Sequence, residues 1–304
     1  MRAQINGTDL YFDVDGAGLA ALDDCMVERP VVFLLHGGPG SDHTEYKATS
    51  APLRDVAQLV YVDNRGSGLS SRCDPSTYTL DQNVDDVEAL RQYLGLERII
   101  VLGSSYGGMV AQGYALRYPA RLSGLILVAT APSHRYLDEG KRIVAQRGTQ
   151  QQIDACEPIW QGQVDSLEQL HEFYRIMFPL YSLTATAENV ETAIGRGRFS
   201  VEPLNQGLSG FLREFDLTEQ LKQIACSTLV LAGAHDWICA PHFSQLMAEQ
   251  IPNAQLEMFT NSSHAIASDE PEKYLRCVRE FILGAGANSV VVPENAFPSP
   301  TRTC

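Results

Sequence analysis

The chain has 304 residues, 44% hydrophobic and 20% charged, with 24 Gly and 15 Pro. Such a composition is ordinary for a soluble globular protein and excludes a disordered, collagen-like or coiled-coil chain, and the length permits a core that is stable without disulfides or structural metal. Acidic residues outnumber basic ones 37 to 23, a net charge of −14, and the longest basic feature is Arg196-Gly-Arg198, so neither nucleic acid nor an anionic membrane is expected as a partner.

The opening residues Met1 to Gly7 are polar and lack the apolar stretch of a signal peptide, and no run approaches the ~20 apolar residues that span a bilayer. Two strands are expected at 3–5 and 10–14. Short β-branched and apolar runs follow at 31–35, 59–62, 99–102, 125–128, 228–231 and 256–259. Helical patterns at 84–94, 109–118, 243–250 and 273–283 lie between or after them; Val84, Val87, Leu90 and Leu94 trace one helix face. That alternation predicts an α/β fold with a mostly parallel sheet. It is interrupted from about Pro132 to Leu217, where the pattern is helical throughout, which predicts a helical cap inserted in the core. The expected division is a core in two parts, 1–131 and 213–283, a cap at 132–212, and a surface tail at 284–304. Seven scattered cysteines without a CxxC pair point to reduced thiols and a cytoplasmic protein.

The chemistry centres on Gly103-Ser-Ser105-Tyr-Gly107-Gly108, which follows one strand and opens a helix. That is the setting of a G-x-S-x-G nucleophile elbow, where glycines flank the serine because the turn is too tight for a Cβ. The frame selects Ser105 over Ser104. A serine nucleophile needs a base and an orienting acid. Asp236 follows the strand at 228–231 and His264 the strand at 256–259, the order Ser, Asp, His; Asp216 is the alternative acid. His36-Gly37-Gly38-Pro39-Gly40 follows the strand at 31–35, and the N–H groups of Gly38 and Tyr106 are the expected donors to a developing oxyanion. No His/Cys/carboxylate cluster has metal-ligand spacing, so neither metal nor cofactor is expected.

HGGPG at 36–40, Asp63-Asn-Arg65-Gly66-Ser67-Gly68 after the next strand, and GSSYGG at 103–108 together resemble the proline iminopeptidase family of α/β-hydrolases. The resemblance covers roughly 1–131 and 213–283. It implies an α/β-hydrolase fold, Ser105 as nucleophile with Asp236 and His264, and release of N-terminal proline from peptides by some members. The likeness is weak in the cap. The family's aminopeptidases hold the substrate ammonium with carboxylates, one from the late cap and another, in some members, just after the triad Asp. Here Trp237 follows Asp236, and an alignment through Glu214-Phe-Asp216-Leu puts Asn205 at the cap position, with Glu202 nearby as a substitute. A buried ammonium without a counter-charge is costly, so the expected substrate is a small neutral amide, ester or lactone. Gly37 is expected beside it, and Trp160, Phe173, Tyr174, Phe178 and Tyr181 as an aromatic lining. Three alternatives stand beside this reading: a proline iminopeptidase acting on short peptides, an acyltransferase, and a non-catalytic ligand receptor on the same fold.

Overall fold

The computed structural model describes residues 1–22 and 25–287. Strands β1 (Arg2–Ile5) and β2 (Thr8–Asp15) open the chain, and β3 (Leu19–Leu22) and β4 (Cys25–Glu28) form a separate hairpin. The main sheet continues with β5 (Val31–Leu35), β6 (Gln58–Val62), β7 (Ile99–Ser104), β8 (Leu122–Val128), β9 (Thr228–Gly233) and β10 (Ala254–Phe259). Its spatial order is β1-β2-β6-β5-β7-β8-β9-β10, antiparallel at β1-β2-β6 and parallel from β6 onward.

Strands covered on both faces need apolar residues at every position, and Val-Val-Phe-Leu-Leu of β5 supplies them. Its successive side chains divide between two cores: Phe33 and Leu35 join one cluster, Val32 and Leu34 the other. Each fully buried side chain of this size contributes roughly 1.5–3 kcal/mol. Edge strand β10 instead alternates, with Gln255 and Glu257 turned to solvent.

The helices are α1 (Thr44–Thr49), α2 (Leu80–Tyr93), α3 (Tyr106–Arg117), α4 (Arg135–Arg147), α5 (Gln150–Gln161), α6 (Leu167–Tyr181), α7 (Ala187–Arg196), α8 (Val201–Ser209), α9 (Pro241–Gln250), α10 (Ile266–Asp269) and α11 (Pro271–Ala287). Side chains α2 Val84, Val87 and Leu90 join the Phe33 core, whereas α11 Tyr274, Val278 and Ile282 join the Val32 core. Helices α4–α8 form the insert between β8 and β9, with no strand among them. Its two ends meet, His134 N–H donating to Phe215 O (2.9 Å) and Leu217 N–H to Pro132 O (2.8 Å). The insert is fastened to the loop after β5 by Ser200 N–H on Gly40 O (2.7 Å) and Arg198 N–H on the Asp42 carboxylate (2.6 Å). No helix among the described residues is long and apolar enough to cross a membrane.

Three details depart from the sequence reading. The β3-β4 hairpin was unexpected because neither strand alternates; Leu19 and Met26 are 52% and 60% exposed. Helix α3 begins at Tyr106 rather than at 109, since Gly107 does not break it: a Cβ there would fall on the Leu35 carbonyl, so glycine is what lets the helix approach β5. Helix α11 continues through Gly284 to Ala287, and the rest of the expected tail, 288–304, lies outside the described residues.

Candidate active site

Ser105 occupies the junction of β7 and α3 with φ 52° and ψ −120°, a conformation costly for a residue with a side chain. Several hydrogen bonds hold it there. Its N–H donates to Val128 O (2.9 Å), and its carbonyl accepts from Thr130 Oγ1 (2.6 Å) and from Gly108 N–H (2.9 Å). The strain is thereby fixed by the neighbouring strand, and the Ser105 side chain is left on the wall of a cavity of ≈ 550 Å³.

His264 lines the same cavity. Its Nδ1–H donates to Asp236 Oδ2 at 2.8 Å, which leaves Nε2 as the basic nitrogen. Asp236 is 1% exposed, and its other oxygen, Oδ1, accepts from the N–H groups of Ile238 and Cys239, both at 2.9 Å. Burial pulls the imidazole pKa down, but the Asp236 charge and hydrogen bond, with a smaller contribution from Glu45, outweigh it and hold His264 above its ordinary value. Such a pair can take a proton from a serine hydroxyl and carry it as an imidazolium. Asp216, the alternative acid, is committed elsewhere: it pairs with Arg135 (2.9 Å) and accepts from Thr218 N–H (3.0 Å).

Gly37 and Gly38 form another part of the cavity wall, and a Cβ built on Gly37 would stand 3.3 Å from Ser105 Cβ. Tyr106 is the first residue of α3, so its N–H has no preceding turn to bond, and among the described residues it has no hydrogen-bond partner. The glycine loop is braced from beneath by residues that motif spacing alone does not explain. His36 Nδ1–H donates to Gly37 O (2.7 Å), and its Nε2 accepts from Asn64 N–H (3.0 Å). Asp63 accepts from His43 N–H and Nδ1–H (both 2.8 Å) and from Leu69 N–H (2.8 Å). Burial alone would raise the Asp63 carboxyl; the His43 hydrogen bond leads the effects that lower it below the ordinary range. Arg65 makes a two-pronged ion pair with Asp86 (2.6 and 2.7 Å), both side chains buried. The D-x-R-G-x-G segment is thus a scaffold for the loop above it.

Of the residues expected around the substrate, Gly37, Phe178, Trp160, Phe173, Tyr174 and Tyr181 line the cavity. Asn205, Glu202 and Trp237 do not, which corrects that part of the expectation. Leu204 and Leu208, four residues apart on α8, face the cavity, and position 205 is turned away from them. Asn205 instead clasps Val164, accepting its N–H (2.9 Å) and donating to its carbonyl (2.8 Å). Glu202 lies beside the Tyr78 hydroxyl, and Trp237 is fully buried against the rings of Trp160 and Tyr181. The charged residues at the cavity are others. Glu45 on α1, Arg196 on α7 and Asp42 line it; the Asp42 carboxylate accepts from the N–H groups of Thr44 and Arg198, whereas among the described residues neither the Glu45 nor the Arg196 side chain has a hydrogen bond or ion pair. Although Glu45 is open to the cavity, surrounding protein desolvates its carboxyl and holds it above the ordinary range, against the pull of His264, His36 and Arg196. Nothing in the motif spacing singles out Glu45, since an acid in a first helical turn is commonplace.

Residues 30–271 match the family described as alpha/beta hydrolase fold. The chain is 33% identical over 279 residues to the proline iminopeptidase PfmaB of Pestalotiopsis fici, covering 90% of this chain and 98% of that one. It is 32% identical over 260 residues to a proline iminopeptidase of Saccharolobus solfataricus, covering 82% and 83%. The crystal structure of a Mycobacterium smegmatis proline iminopeptidase superposes with a TM-score of 0.75 at 23% identity, covering 95% of this chain and 99% of that one. The chain belongs to the α/β-hydrolase family, within its proline iminopeptidase-like branch. It is a hydrolase.

Proposed function

We propose that the protein cleaves an amide, ester or lactone through an acyl-enzyme on Ser105. The observation that carries this reading is the strained elbow serine sharing a cavity with an imidazole whose other nitrogen is bonded to a buried carboxylate. In the proposed reaction His264 Nε2 takes the Ser105 hydroxyl proton as Oγ bonds to the substrate carbonyl carbon. The oxyanion is held by the N–H groups of Gly38 and Tyr106. As the intermediate collapses, the bond to the leaving group breaks and His264 returns the proton to it. Water, deprotonated by the same imidazole, then bonds to the acyl carbon; the bond to Ser105 Oγ breaks, His264 returns the proton to Oγ, and the acid leaves.

Aromatic and aliphatic side chains dominate the cavity, which favours an apolar, neutral acyl group that fills a space of ≈ 550 Å³. Glu45 favours a second reading, release of N-terminal proline, because its carboxylate could answer an ammonium entering the same cavity, and the curated relatives bear that name. A fluorophosphonate should label Ser105 and leave Ser105→Ala unlabelled; an adduct on Ser104 or elsewhere overturns the mechanism. Comparing prolyl arylamide with its N-acetylated analogue and short aryl esters separates the substrate readings. The neutral-acyl reading fails if the free amine is cleaved far faster by kcat/KM.

A further inference from the structure

We propose that Asp269 is a positioning residue that ties the His264 loop to the helical insert, so that the general base keeps its placement only while the turn after α6 is seated beside it. This rests on the assignment of His264 as the base. Asp269 is 9% exposed, and its two oxygens serve different segments. Oδ2 accepts the N–H of Ser263, the residue before His264, at 2.9 Å. Oδ1 gathers the turn leaving α6, accepting from Ser182 Oγ (2.5 Å), Leu183 N–H (3.0 Å), Thr184 N–H (3.1 Å) and Thr184 Oγ1 (2.9 Å).

The fastening continues on both sides of the histidine. Ala265 N–H donates to Tyr181 O at 2.8 Å, and Ser263 Oγ donates to the carbonyls of Leu180 and His235. The Tyr181 ring meets the imidazole edge-on, with centroids 5.6 Å apart. The imidazole is therefore held from the core by Asp236 and from the insert by Tyr181, and Asp269 on α10 ties its loop to that insert. Ser182, Thr184 and Ala185 also line the cavity, so the turn that seats His264 is a turn that substrate touches. Five donors converge on this side chain with no acceptor opposite, which suits a carboxylate. An amide presents an oxygen on one side only and would leave an NH₂ facing either Ser263 N–H or the Ser182–Thr184 donors.

The test is Asp269→Asn, with active sites counted by fluorophosphonate titration so that turnover is expressed per competent site. Displacing a reacting group by about 1 Å can cost 10²-fold. We expect per-site kcat to fall ten- to a hundredfold with KM changed less than threefold, and phosphonylation of Ser105 to slow by the same factor as kcat. Asp269→Glu should recover part of the loss. A residue that only supports folding would lower the count of competent sites and leave per-site kcat unchanged, and that result overturns the proposal. If Asp269→Asn does not fold, the double variant Ser182→Ala/Thr184→Val retains the Ser263 bond and must show the same fall in per-site kcat; wild-type kcat there is equally fatal. His264→Ala separates the underlying assignment: full activity in that variant refutes the base itself, whereas its loss with Asp269→Asn unaffected refutes only the positioning role.

Discussion

Asp236→Asn changes one atom in the center of the site, and its consequence can be worked from the hydrogen bonds. The native Oδ1 accepts two backbone N–H groups, from Ile238 and Cys239, while Oδ2 accepts one, from His264 Nδ1. An asparagine oxygen keeps the side with two donors, so its NH₂ turns toward His264. Nδ1 must then accept, the ring proton moves to Nε2, and the imidazole can no longer take the serine proton. In serine-protease triads the same substitution costs about 10⁴ in kcat, which corresponds to about 5.4 kcal/mol of transition-state stabilisation. The pH profile should move too. Activity requires neutral His264, so kcat/KM in the native protein rises with pH through a midpoint above 6.5, the ordinary histidine value, because Asp236 outweighs burial. Without that charge the residual activity of Asp236→Asn should have its acid limb at lower pH. Steady-state hydrolysis of an aryl ester between pH 4.5 and 9 measures both quantities. A loss of less than tenfold, or an acid limb that stays in place, would refute the assignment of Asp236.

Three further outcomes are expected. Arg65→Ala leaves Asp86 buried without its counter-charge, with the side chains of Asn6 and Gln82 as its remaining donors, and should destabilise the fold by about 3–5 kcal/mol in urea denaturation; a loss below about 1 kcal/mol would contradict the scaffold role of the D-x-R-G-x-G segment. Glu45→Gln should lower kcat/KM for a free-amine substrate relative to its N-acetylated analogue if the cavity takes an ammonium, and an unchanged ratio removes Glu45 from recognition. Gly107→Ala should abolish soluble, labelled protein, because the added methyl meets the Leu35 backbone rather than a movable side chain; a well-folded variant with native labelling would show that α3 can withdraw from β5.

The parallel strands were legible because a strand covered on both faces must be apolar at every position, a demand that leaves a continuous run in the chain. The elbow was legible for a related reason: a sharp turn admits only glycine two residues to either side of the serine. The hydrogen bond between Asp236 and His264 was legible because each residue follows a strand whose end must lie at the same edge of the sheet. The β3-β4 hairpin left no such mark, since no described side chain of either strand is buried.

What the chain by itself determined is therefore what depends on neighbours a few residues away: the strand runs, helix stripes, glycine turns and the order of Ser105, Asp236 and His264. Tertiary structure alone decided the rest. Whether Asn205 faces the cavity depends on how α8 rotates against its neighbours, and that rotation follows from Leu204 and Leu208 finding apolar partners. Glu45 and Arg196 reach one cavity from elements about 150 residues apart. Asp269 meets Ser182–Thr184 across 85 to 87 residues. Such contacts leave no periodic trace, because a hydrogen bond between distant segments asks only for a donor and an acceptor, which many residues supply, and it is the packing of the whole chain that selects which of them meet.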